Sequence, residues 1–193
     1  EENFQNYFAN ANAVDLKSRR EQQRYGVLAS SEFKWETADA RFDASPKSEE
    51  VQQGFVNEVN RFGWVVEIDP TDPGSVPVKR TAMGRFSHEN CEVLQDSDGR
   101  MAFYMGDDSR AEYFYKFVPN GTYNPLDPQA NAKILDEGRL FAAQFHEDGS
   151  GEWLELSYGK NGLNRINGFA DQAEVLINAR SAADHVGATP MDR

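Results

Sequence analysis

The sequence predicts an all-β chain, part of a β-propeller, and three observations predict it. Short runs rich in aromatic and β-branched residues recur along the chain. The pairs Asp98-Gly99 and Asp148-Gly149 separate such runs, and Asp-Gly supplies the positive φ angles of a tight hairpin. One plan, an aromatic-rich strand that ends in a turn and is followed by a second strand, is shared by segments starting at Arg61, Tyr113 and Leu140. Short strands at this spacing leave a sandwich, a barrel or a propeller, and repeated hairpin units favour several antiparallel propeller blades.

The elements follow in order. Residues 9 to 47 are polar and irregular, a long surface excursion with Trp35 and Phe42 as its anchors. Ser48 to Asn60 places Val51, Phe55 and Val59 at a spacing of four with acids in the first turn, so a short amphipathic helix is predicted there. Phe62 to Asp69 is a strand ended by Pro70, and the loop Pro70 to Ser75 leads to a second strand from Val76 to Met83. Cys91 to Leu94 starts a third strand, Asp96 to Arg100 turns it, and Met101 to Met105 returns. Glu112 to Val118 is the next strand, and Gly138 to Phe145 pairs with Glu152 to Leu156 across the Asp148-Gly149 turn. Ala170 to Ala183, with Ala170, Ala173, Val175, Leu176, Ile177 and Ala179, is a second helix candidate. The organisation predicted is one partial propeller domain over 1–193, with 9–60 as an inserted excursion carrying the short helix.

The 193 residues are enough for one domain with a sizeable core. No apolar run approaches the roughly 20 residues of a membrane span. Acidic residues outnumber basic ones by 32 to 20, a net charge of −12, which repels nucleic acid and anionic membranes and suits a protein that holds hard cations. The single cysteine, Cys91, excludes a disulfide framework within the chain and reads as a small buried thiol. The chain opens on Glu1-Glu2-Asn3-Phe4 and closes on Thr189-Pro190-Met191-Asp192-Arg193, as a piece cut from something longer would. There is no Gly-rich phosphate loop, no Ser-His-Asp spacing and no Cys-x-x-Cys.

Four stretches together resemble the PhoX-type alkaline phosphatase family. They are Glu1 to Phe4; Arg61 to Pro70; Gly84-Arg85-Phe86-Ser87-His88-Glu89 with Tyr104-Met105-Gly106-Asp107-Asp108; and Asp184 to Arg193. The resemblance implies a propeller with insertions, exported to the periplasm or secreted, that hydrolyses phosphate monoesters with calcium and iron in one carboxylate-rich cluster. It also implies that a metal-binding cysteine would precede Glu1 and that a metal-binding glutamate would follow Arg193, so the chain alone is expected to be inactive. A monomer is expected, with neither nucleic acid nor membrane as partner.

Site residues follow one at a time. Glu89 is the leading metal-ligand candidate, because a carboxylate among residues expected to be buried needs a cation or a base, Arg85 being the alternative partner. Asp107 and Asp108 follow a strand and a glycine, where paired acids can offer oxygens to calcium; ordinary turn duty accounts for one of them, and the family pattern favours Asp108 as ligand. Glu1 and Glu2 are further candidates for the metal shell, with Asn3 beside them. Arg193 resembles the arginine that grips the substrate phosphate, its planar fork matching two phosphate oxygens. His88 and His185 are expected to hydrogen-bond near the site rather than ligate, and His146 is expected at the surface. Two other functions stand beside this one: a calcium-dependent propeller hydrolase of lactones or other esters, which shares the acidic axis but has no need for the arginine, and a non-catalytic propeller module that binds a partner.

Overall fold

The computed structural model describes residues 1–11, 17–47 and 54–191. Where the sequence predicts one partial domain, the chain divides into two compact units, Glu1–Gly63 and Trp64–Arg193.

The first unit is built from loops and short helical turns: 3-10 turns at Phe4–Tyr7, Trp35–Thr37, Ala40–Phe42 and Glu58–Arg61, and one α-helix, α1 (Lys17–Arg24). Its backbone polar groups pair without a sheet. Ala9 bridges both Leu28 and Asp43, taking a hydrogen bond from Ala44 and giving one to Phe42. Phe4, Phe8, Tyr25, Val27 and Val59 are buried together, with Phe42 and Phe62 packed on them. The predicted surface excursion therefore has a core of its own, and only part of the anchor prediction stands. Phe42 packs on Phe8 at 5.3 Å between ring centroids, whereas Trp35 stays 47% exposed and meets Phe42 edge-on. Of the helix predicted over Ser48 to Asn60, residues 48–53 lie outside the described residues. Residues 54–57 are bend and turn, and Glu58–Arg61 is a 3-10 helix.

The second unit is mostly antiparallel sheet with few helices. Strands β1 (Val66–Glu67) and β2 (Val78–Lys79) form a short ribbon, narrower than the two strands predicted there. Strands β3 (Glu92–Gln95), β4 (Met101–Gly106), β5 (Phe114–Pro119), β6 (Gly138–Phe145) and β7 (Gly151–Glu155) make one five-stranded meander in sequence order. The predicted succession of several blades is not seen among the described residues: the segments starting at Tyr113 and Leu140 are neighbouring strands of this one sheet, and the one starting at Arg61 belongs to the β1–β2 ribbon. The turn at Gly99 shows why the hairpin signal works. Gly99 has φ 78°, and a Cβ there would stand 2.3 Å from the Tyr123 carbonyl oxygen, so only glycine fits.

Strand alternation sorts the meander into two faces. Met105, Tyr115, Phe117, Leu140 and Ala142 point to one side and are buried. The same cluster takes in Met83, Phe86 and residues of helices α3 (Gln172–Ile177) and α4 (Ala179–Val186). A further one-turn helix, α2 (Pro128–Asn131), lies in the β5–β6 connection. Ala179, Ala182 and Ala183 are buried on α4, and their small side chains let helix and sheet approach closely. The second helix candidate, Ala170 to Ala183, is met by α3 and α4, with Asp171 capping α3 through the Glu174 amide and Gly187 ending α4 in the left-handed region. On the other face, Tyr104, Phe114 and Trp153 cluster with centroids 5.7–6.1 Å apart, and the Lys116 ammonium lies 4.4 Å over the Trp153 ring.

Three arginines of this unit are buried, Arg80, Arg85 and Arg180. Arg80, just after β2, reaches Glu67 at 2.7 Å, Asp136 at 2.6 Å and the Ala132 carbonyl at 2.7 Å. Arg180, in α4, lies at the end of β4.

Candidate functional site

The candidate site is assembled where β4 ends. Gly106 closes the strand, and Asp107 then forms an isolated antiparallel bridge with His88. Backbone bonds on either side extend this pairing: the Asp108 amide donates to the Ser87 carbonyl at 2.9 Å, and the Glu89 amide reaches the Gly106 carbonyl at 3.5 Å. The loop that follows is tight. The Asp107 amide donates to Tyr113, the Ser109 amide to Asp107 and the Glu112 amide to Ser109, while Ala111 takes φ 59°, a left-handed conformation uncommon for a residue with a side chain. Met191 donates its amide to the Glu112 carbonyl, which ties the C-terminal segment to the same turn.

A guanidinium organises the inside of this turn. Arg180 donates from Nε to Asp107 Oδ2 at 2.7 Å and from Nη2 to Asp107 Oδ1 at 2.6 Å, a bidentate fork. Nη2 also meets Ser109 Oγ at 3.0 Å and Ser87 Oγ at 3.3 Å, and Nε lies 3.7 Å from Glu112 Oε2. Arg180, Asp107 and Glu112 are all buried. Burial pushes the Asp107 carboxyl up to about 6; Arg180 pulls the other way and Glu112 adds to the rise.

His88 sits at the bridge, stacked on Phe86 with centroids 3.7 Å apart, and Phe86 stacks in turn on Tyr115. Its Nε2 lies 3.0 Å from the Gly84 carbonyl, which makes that nitrogen the donor. Nδ1 is buried and has no hydrogen-bond partner among the described residues. Burial pushes the ring down to about 3, so it is neutral at any ordinary pH.

The sequence-predicted residues separate by environment. Asp107 is buried and bound to Arg180, Asp108 is half-buried, and Glu89 is exposed. The burial expected of Glu89 fails because the buried chain ends at His88: residues 89–91 and all of β3, the edge strand of the sheet, are exposed, and Cys91 is exposed with them, not buried as predicted. Arg85, the alternative partner for Glu89, is buried and donates to the Ile177 carbonyl at 3.4 Å. Glu1 and Glu2 belong to the first unit and are half-buried. Glu1 Oε2 accepts from the Gly63 amide at 2.9 Å, and Glu2 Oε1 accepts from Asn3 at 3.2 Å. Arg193 lies outside the described residues. His185 is exposed beside Phe169, and His146 is exposed near Glu152, as predicted for the latter. Among the described residues no three His, Cys, Asp or Glu side chains group as a metal site does, and no helix is long and apolar enough to cross a membrane.

Sequence reasoning missed Arg180 and Glu112. The available signal was an arginine set among alanines, Ala179-Arg180-Ser181-Ala182-Ala183, on a helix close enough to the sheet to bury the guanidinium.

Comparison with known proteins gives two matches. The family model described as "Alkaline phosphatase PhoX" matches residues 1–193. Among solved structures, PhoX of Pseudomonas fluorescens, in complex with vanadate as a transition-state analogue, is 50% identical to the chain and superposes with a TM-score of 0.88. That match covers 100% of this chain and 33% of the Pseudomonas chain. No curated protein matches.

Proposed function

Since the chain belongs to the family of the alkaline phosphatase PhoX, we propose that it is part of an enzyme that hydrolyses phosphate monoesters. The observation that carries this is the 50% identity, over the whole chain, to an enzyme captured with a transition-state analogue of phosphoryl transfer. The rest of the family pattern comes with it: a propeller of which the five-stranded meander is one sheet, a centre of calcium and iron, a periplasmic or secreted monomer.

The described residues fit part of a calcium shell. Glu89 and Asp108 are hard oxygen donors flanking one backbone bridge, one exposed and one half-buried, and calcium takes six to eight such oxygens. Asp107 does not fit, because both its oxygens are engaged by Arg180; it holds the turn and Asp108 serves as ligand. Bound cations neutralise phosphate oxygens and activate an oxygen nucleophile. The chain's own contribution to the substrate is Arg193. Its guanidinium stays charged at any working pH and matches two phosphate oxygens at once, steadying charge that builds in the transition state. Met191 is bridged to Glu112, in the turn that presents Asp108.

The test is turnover of a chromogenic phosphate monoester by the intact protein supplied with calcium and iron, beside metal analysis. Glu89→Gln is expected to lose metal and recover only partly with added calcium. Arg193→Lys is expected to keep its metals and lose turnover by about tenfold to a thousandfold. Vanadate is expected to inhibit competitively. No turnover by the metal-loaded wild type overturns the function, and full activity in both variants overturns the site.

A further inference from the structure

We propose that Arg180 is the positioning residue of the site, a group through which helix α4 sets where Asp108 presents its carboxylate. The proposal rests on the reading of Asp108 as a calcium ligand. Arg180 itself is 4% exposed and has no access to a substrate. Everything it does is done through its neighbours, and those neighbours surround Asp108. Its fork fixes both oxygens of Asp107, the residue before. Nη2 also reaches the hydroxyl of Ser109, the residue after, at 3.0 Å. The same Nη2 reaches Ser87, whose carbonyl takes the Asp108 amide across the bridge at 2.9 Å. One rigid plane thus holds the sequence neighbours of Asp108 on both sides and the residue facing it. Glu112, at 3.7 Å from Nε, adds the far end of the turn, and its backbone bridge to Met191 brings the C-terminal segment under the same control.

The chemistry explains why a guanidinium is needed. A carboxylate ligand favours calcium most when its backbone is fixed before the ion arrives, because ordering then costs nothing at binding. Lysine places one charge at one point; arginine alone offers donors in a fixed plane to two oxygens of one carboxylate and to hydroxyls on both sides. Outer contacts of this kind change metal affinity by roughly ten- to a hundredfold when removed.

A control is built into the same unit. Arg80 is equally buried and also paired with two carboxylates, but its partners are Glu67, Asp136 and the Ala132 carbonyl, none of them next to a candidate ligand. The experiment is calcium binding to the intact protein, measured by equilibrium dialysis with radioactive calcium on wild type, Asp108→Asn, Arg180→Lys and Arg80→Lys, with circular dichroism to show that each is folded. Asp108→Asn is expected to lose a calcium site. Arg180→Lys is expected to weaken that site about tenfold to a hundredfold, while Arg80→Lys leaves it within about twofold of wild type even where it lowers the melting temperature as much. If Arg180→Lys does not fold, Ser109→Ala removes one guanidinium contact and keeps the ion pair; a severalfold weakening is then expected. A site that Asp108→Asn abolishes but Arg180→Lys, or failing that Ser109→Ala, leaves unchanged overturns the positioning role alone. Calcium binding unaltered in Asp108→Asn overturns the ligand assignment and this inference together.

Discussion

Arg80 and Arg180 are chemically alike and physically opposite. Each is a buried guanidinium (5% and 4% exposed) facing two carboxylates. The partners of Arg80, Glu67 and Asp136, have side chains 47% and 52% exposed, whereas those of Arg180, Asp107 and Glu112, are 0% and 7% exposed. The difference decides what each arginine is worth. Remove Arg80 and its acids return to water. Remove Arg180 and Asp107 and Glu112 lose its guanidinium while their side chains stay buried, a far larger penalty than the attraction alone. The comparison teaches that the burial of the partners, more than of the arginine, marks which ion pair the fold depends on.

Substitution of Arg180 is the strongest way to break this contrast. Arg180→Met is expected to destabilise the protein by about 3–5 kcal/mol, read as a fall in the urea midpoint at constant slope. A loss below about 1 kcal/mol would place Arg180 in the same class as Arg80. Next comes pH. The Asp107 carboxyl is raised to about 6 in the folded chain, against about 4 for an unfolded aspartate. Between those values the folded state holds a proton that the unfolded state has released. This group's contribution to stability is therefore full below about pH 4, falls as pH rises toward 6, and is level above. Asp107→Asn removes that slope, so the difference in unfolding free energy between wild type and variant is expected to drift by about 2 kcal/mol from pH 4 to 7. A constant difference would mean that Asp107 is ionised throughout.

The remaining predictions sharpen the comparison from the other side. Arg80→Met is expected to cost about 1 kcal/mol, the upper end for ion pairs whose acids are exposed. Asp136→Asn is the smallest change, at or below about 0.5 kcal/mol, and is expected to vanish in 1 M salt as exposed charges are screened. If salt abolishes the Arg180→Met effect as well, the two pairs are not different in kind.

What was legible in the sequence follows the same division between near and far. The Asp98-Gly99 hairpin, β6 with β7, and the helices at α3 and α4 could be read because turn chemistry and side-chain period act over a few residues. The first unit could not. Phe4, Phe8, Tyr25 and Val27 follow no helical or strand period, since loops bury them, so a folded core looked like a polar excursion. Glu89 was expected to be buried on the evidence of its sequence neighbours, but burial of Phe86 and His88 stops short of it. Arg180 met Asp107 from 73 residues away, and nothing local to either announced the other.

That separation also bears on the order of events in time. The hairpins β3–β4 and β6–β7 close through the short connections 96–100 and 146–150, so they need little loop closure. The contact between α4 and the β4 end must wait until the chain between them has been arranged, and each side arrives as an uncompensated charge until the other is present. Such a contact belongs on the native side of the folding barrier. Arg180→Met should then leave the refolding rate almost unchanged and appear nearly whole in the unfolding rate, with a φ-value near zero. The buried pair would govern how long the folded chain survives, and the hairpins how quickly it forms.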